Sequence, residues 1–139
     1  MDATVKLDKR MTFHGTADSG FAVKMDAHPS VGGDDDGVRP LELLLIGLGG
    51  CTAMDVVSIL RKKRQELNGY EIQLHADRAE EHPKVFTAVT IKHIVRGRGV
   101  DPKAVERAIE LSATKYCSAH AMLSKTATIT STFEVLEEE

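Results

Sequence analysis

Tryptophan is absent from this chain, and only four phenylalanines and two tyrosines stand among its 139 residues. That scarcity removes most of the flat side chains on which bases stack. Positive charge does not compensate: 18 Lys and Arg face 21 Asp and Glu, interspersed along the chain, for a formal charge of −3. A nucleic-acid partner is therefore not expected. Cysteine is sparse too, at two residues, which is too few for the disulfide scaffold of an exported protein. A thiol pair in a reducing compartment points instead to redox chemistry, to metal binding or to packing alone. The chain opens without a charged segment followed by a short apolar one, so no secretory leader is predicted and the cytoplasm is the expected location. Internal repeats and low-complexity tracts are lacking as well.

What is present is ordinary for a soluble domain: 42% hydrophobic and 28% charged residues, in a length that suits one domain over residues 1–139. The longest apolar run is RPLELLLIGLGGCTAMDVVSILRKKR. Leu41 to Leu60 is long enough to cross a bilayer, but Glu42 and Asp55 lie inside it, Gly and Thr dilute it, and its neighbours alternate like soluble strands. A membrane span is rejected. A helix apolar all round is expected at the centre of a core or between two subunits.

Around that helix, TVKLD (4–8), MTFHG (11–15) and FAVKMDA (21–27) alternate with period two and predict a β-meander. The stretch HPSVGGDDDGV (28–38) reads as loop, with Asp34-Asp35-Asp36 solvated and mobile, because it lacks the alternation of a calcium loop. Pro40 suits the first turn of the long helix, which is predicted to run to about Asn68-Gly69. YEIQLHADRA (70–79) and VFTAVTIKHIVRG (85–97) predict a hairpin across EEHPK. Asp101 and Pro102 predict the cap and first residue of a second helix that carries Cys117 near its end. TATITSTFEVL (126–136) predicts a last strand, followed by a solvated EEE tail. The order βββ-α-ββ-α-β is α+β.

Three glycines, Gly47, Gly49 and Gly50, crowd just ahead of Cys51. Each costs a helix about 1 kcal/mol relative to alanine, so a compensating close approach is expected there. The second helix, with small Ala108, Ser112 and Ala113, is the expected partner and would bring Cys117 toward Cys51. The alternative is that the glycines merely permit packing and Cys51 is a small buried hydrophobe.

The stretch PLELLLIGLGGCTAMDV (40–56), followed later by KYCSAHAMLSKTATIT (115–130), resembles the OsmC/Ohr family of osmotically inducible and organic hydroperoxide resistance proteins. The resemblance implies an intertwined homodimer, with central helices packed between antiparallel sheets and two sites at the subunit interface. It implies a thiol peroxidase acting on organic hydroperoxides without metal or flavin, with Cys51 as the peroxidatic and Cys117 as the resolving cysteine. An external dithiol, lipoyl-bearing in the family, would reduce the resulting disulfide. The apolar residues Leu45, Ile46, Leu48 and Met54 would favour an alkyl hydroperoxide over hydrogen peroxide.

The family's peroxidases activate the thiolate with an arginine held by a glutamate directly after the motif proline. Here Leu41 takes that place and Glu42 comes one residue later, where it either reaches the site or caps the helix. Arg39 and Arg10 are the candidate cations, each equally readable as a surface arginine. On a continuous helix, Arg39 would stand about 18 Å from Cys51 along the axis, so it would have to serve the site from the other subunit. Asp55, four residues after Cys51, opposes a thiolate unless it is itself paired. Cys117 and His120 have a C-x-x-H spacing, but no second pair completes a zinc site, and no metal is assigned. Two other readings stay open: an OsmC-like protein that binds a small apolar or thiol-reactive ligand at its dimer interface without turnover, and a thiol–disulfide oxidoreductase.

Overall fold

A computed structural model describes residues 1–138. Its chain divides into two compact units, Met1–Leu44 and the remainder from Leu45.

The first unit is the expected meander. Strands β1 (Ala3–Lys9), β2 (Thr12–Ala17) and β3 (Ala22–Met25) form one antiparallel sheet in the order β1-β2-β3. The following loop carries more local structure than its composition predicts. It contains a 3-10 turn at Pro29–Val31, and Val38 returns to bridge Met25. Asp26, buried, anchors it by accepting from Thr12 Oγ1 at 2.9 Å and from the backbone N–H groups of Ala27, Asp34 and Asp36. Burial alone would raise this carboxyl, but those hydrogen bonds outweigh it and hold the pKa below the usual value. The loop passes so close to its own stem that a Cβ on Gly33 would lie 1.9 Å from the Ala27 carbonyl oxygen. The acidic triad is exposed but not free: Asp34 pairs with Arg10, Asp35 with Arg39 and Asp36 with Lys24.

Helix α1 (Pro40–Lys62) ends earlier than the sequence predicts. Arg64 takes a left-handed conformation at φ 58°, with Arg64 N–H donating to Arg61 O and Gln65 N–H to Leu60 O. These two bonds are the usual paired closure of a helix C-terminus, made here without glycine. Gly69, read as the stop, lies instead in strand β4 (Glu66–Arg78), next to a bulge.

In the second unit β4 pairs antiparallel with β5 (Phe86–Arg98), as expected. Strand β6 (Thr128–Glu137) then joins β5 in parallel, so this sheet is mixed rather than antiparallel throughout. A parallel partner requires a crossover, which α2 (Pro102–Leu111), a π turn (Ser112–Tyr116) and a short α3 (Ser118–Leu123) supply. The Asp101 side chain caps α2 by accepting from Lys103 N–H, with Pro102 at its first turn, as predicted. Val56 and Leu60 of α1 share a core with Val95 of β5 and with Val105, Ala108 and Ile109 of α2. Glu137 is not simply solvated, since its carboxylate accepts from Gly99 N–H, and Glu138 pairs with Arg96; Glu139 lies outside the described residues.

By length and hydropathy alone α1 could cross a membrane. Its Leu48, Thr52, Val56 and Leu60 recur every four residues on one buried face, while Ile46 and Met54 are exposed.

Candidate functional site

The glycines do not meet the second helix. A Cβ on Gly49 would lie 2.8 Å from Leu74 Cδ1 of β4, and one on Gly47 or Gly50 would meet nothing within 4 Å. The close approach is therefore to the sheet at one glycine, and the other two leave a bare strip on α1.

The cysteines nevertheless come together. Cys51 and Asp55 stand one turn apart on the same side of α1. Cys117 does not lie inside α2, as predicted, but just beyond it: the π turn ends with Cys117 N–H donating to Ser112 O at 2.8 Å, and Cys117 then caps α3. This wide turn carries the second thiol to the first. The Sγ atoms of Cys51 and Cys117 and a carboxylate oxygen of Asp55 all lie within 4.8 Å of one another. Both cysteines are free thiols, Cys51 half-buried and Cys117 buried.

Further groups fix this trio. Ser112 Oγ donates to Asp55 Oδ2 at 2.9 Å. Cys117 Sγ accepts from His120 N–H at 3.3 Å and lies 3.6 Å from Thr52 Oγ1. Burial and the neighbouring Cys51 thiol push the Cys117 pKa up, and the His120 N–H and Thr52 hydroxyl only partly offset this. Cys117 is thus held as a neutral thiol at physiological pH, and Cys51 is the more accessible of the two residues. Asp55 also borders a hollow of about 330 Å³ lined by Ile59, Lys62, Lys63, Leu111 and Tyr116. A larger hollow on α1, about 490 Å³ beside Met54 and Arg61, is lined by neither cysteine.

The other predicted residues are engaged elsewhere. Glu42 Oε1 accepts from Arg39 N–H at 2.7 Å, so the glutamate caps the start of α1. The Arg39 guanidinium binds Asp35 and the carbonyl of Gly37, while Arg10 binds Asp34 and the carbonyl of Gly32. Of the apolar residues expected to surround the thiol, Leu48 is buried, whereas Ile46 and Met54 face outward. Sequence reading missed Thr52, Ser112 as a partner of Asp55, and the two lysines. The only hint of them was helical spacing, since Ser58 and Lys62 follow Asp55 on α1. His120 contributes its backbone N–H to the thiol rather than a metal-ligand pair with Cys117.

Known proteins resemble the chain in sequence and in fold. A family model described as OsmC-like protein matches residues 33–132. Protein YhfA of Escherichia coli K12 is 43% identical over 136 residues, covering 98% of each chain. The crystal structure of a hypothetical protein from Aquifex aeolicus VF5 superposes with a TM-score of 0.87 at 35% identity, over 99% of this chain and 97% of that one. An organic hydroperoxide resistance protein OsmC from Legionella pneumophila shares the fold, with a TM-score of 0.72 over 96% of each chain at 12% identity.

Proposed function

Because this chain belongs to the OsmC-like protein family, we propose that it is a thiol-dependent peroxidase that reduces organic hydroperoxides. The observation that carries this reading is the pairing of a half-buried and a buried free thiol whose sulfurs lie within 4.8 Å. The Cys51 thiolate attacks the distal peroxide oxygen, the O–O bond breaks, and the alkoxide leaves and takes up a proton as alcohol. Cys51 is then a sulfenic acid. The Cys117 sulfur attacks it, expelling water as the disulfide forms, which requires the sulfurs to close to about 2.05 Å. An external dithiol, a lipoyl group by family likeness, returns both thiols and is itself oxidised.

In this reading the chain works in the cytoplasm as a homodimer. The bare glycine strip and the outward Ile46 and Met54 support a second copy against α1. If Arg39 or Glu42 serves a Cys51 thiolate, it does so on a second copy.

One observation favours a non-catalytic ligand-binding protein instead: both candidate arginines are already paired with loop aspartates, while an acid stands beside the thiols. Mixing reduced protein with one equivalent of cumene hydroperoxide, and separately of hydrogen peroxide, decides between them. A Cys51–Cys117 disulfide that forms within seconds, faster with the organic peroxide and absent in Cys51→Ser, supports the peroxidase. Thiols that persist for minutes support the binding protein.

A further inference from the structure

Asp55 has no place in the peroxidase scheme. A carboxylate oxygen of Asp55 lies within 4.8 Å of both sulfurs, and among the described residues no Lys or Arg side chain pairs with it. Its position is nevertheless secured, because the fully buried Ser112 hydroxyl donates to Oδ2, and among the described residues no hydrogen bond reaches Oδ1. Two thiols and an oriented carboxylate converging from α1 and from the end of the π turn form a set of ligands in search of a positive charge.

We propose that the reduced chain binds a thiophilic divalent cation of the zinc class through Cys51 Sγ, Cys117 Sγ and the Asp55 carboxylate. Two sulfurs and one oxygen make three of the four ligands of a tetrahedral ion, leaving one position for water or an added ligand. Zinc–sulfur bonds of about 2.3 Å and zinc–oxygen bonds of about 2.0–2.2 Å separate the ligand atoms by somewhat less than 4.8 Å, so a small rotation of the side chains closes the site. Binding replaces the two thiol protons, which pass to solvent, and no electron is transferred. The ion supplies the charge that the three ligands lack. Outside the trio, the Ser112 hydroxyl orients the carboxylate and the His120 N–H points at the Cys117 sulfur, the kind of outer support that tunes metal sites. A disulfide between the same sulfurs excludes the ion, so occupancy depends on the thiols being reduced. The site does not rest on the peroxidase reading, since an inert thiol pair would bind the ion as well.

The test is titration of reduced, metal-free protein with cobalt(II), followed by displacement with zinc against a chromophoric chelator. One cobalt per chain is expected, with sulfur-to-cobalt charge-transfer and tetrahedral ligand-field bands that vanish after disulfide formation. Asp55→Asn, with its circular dichroism and its two titratable thiols unchanged, is expected to weaken zinc roughly tenfold or more. Cys51→Ser and Cys117→Ser should each lose charge-transfer intensity. The proposal is overturned if reduced protein shows no such bands, or if Asp55→Asn binds as tightly as the parent. It is overturned too if the ion follows the exposed His75–Asp77 pair and is lost in His75→Ala. Peroxide reactivity is measured separately on metal-free protein, so failure of either reading leaves the other standing.

Discussion

Ser112 Oγ donates to Asp55 Oδ2 at 2.9 Å, joining the π turn to α1 across 57 residues of sequence. That bond sits beside both cysteines and orients the acid that accompanies them. Replacing Ser112 by alanine leaves the carboxylate without its donor in a half-buried position. A loss of about 1–3 kcal/mol is expected, read as a lower urea midpoint with an unchanged slope. An unaltered midpoint would mean that water replaces the hydroxyl at no cost.

Cys117→Ser should separate the two halves of the proposed chemistry. Cys51 would still react once with an organic hydroperoxide, and its sulfenic acid would persist, visible by intact mass as one added oxygen and by trapping with a dimedone reagent. Formation of an intramolecular disulfide in this variant is impossible, so turnover with a dithiol should slow markedly. Equal turnover in Cys117→Ser and the parent would remove the resolving role.

Glycines on α1 should respond according to what each faces. Gly49→Leu drives a side chain into Leu74 and is expected to destabilise the chain by about 1–3 kcal/mol. Gly47→Leu and Gly50→Leu meet open space within one chain and remove a helix-disfavouring glycine, so an isolated chain should gain up to about 1 kcal/mol. In a homodimer packed on the bare strip the same two substitutions should instead shift sedimentation toward monomer. Unchanged dimers in both variants would place the interface elsewhere.

His93 is fully buried between β4 and β6, its Nδ1 hydrogen-bonded with the Tyr70 hydroxyl and its Nε2 without a partner among the described residues. Burial lowers its pKa to about 4 from the model-peptide 6.5, so the unfolded chain binds the proton first. Stability from the neutral imidazole is therefore complete above pH 6.5 and is lost as pH falls toward 4, by on the order of 2 kcal/mol. Melting temperatures across that window should fall, and His93→Gln should flatten the slope. Tyr70→Phe removes the hydroxyl partner and should lower stability at neutral pH. A parent whose stability is flat from pH 7 to 4 would contradict the burial argument.

Much of this fold follows from local rules that a sequence displays directly. Alternation announced β1 to β6, Asp101-Pro102 announced α2, and two cysteine stretches in fixed order announced the family. Errors arose where no local signal exists. Arg64 ends α1 in a conformation that usually asks for glycine, so the reading ran on to Gly69, which belongs to a strand. The ion pairs of the acidic loop were not legible because the partners Arg10, Lys24 and Arg39 are distributed on either side of it.

By itself the sequence determined the chemistry that is possible: two thiols, an acid one helical turn from the first, and an apolar helix to carry them. Tertiary structure alone decided their company. A π turn, invisible to any 3.6-residue period, widens the backbone before Cys117 and sets its sulfur within 4.8 Å of Cys51 and Asp55. The same fold turned Glu42 toward the Arg39 amide and Ser112 toward Asp55, because a polar group takes the partner that folding brings within reach, not the one nearest in the chain.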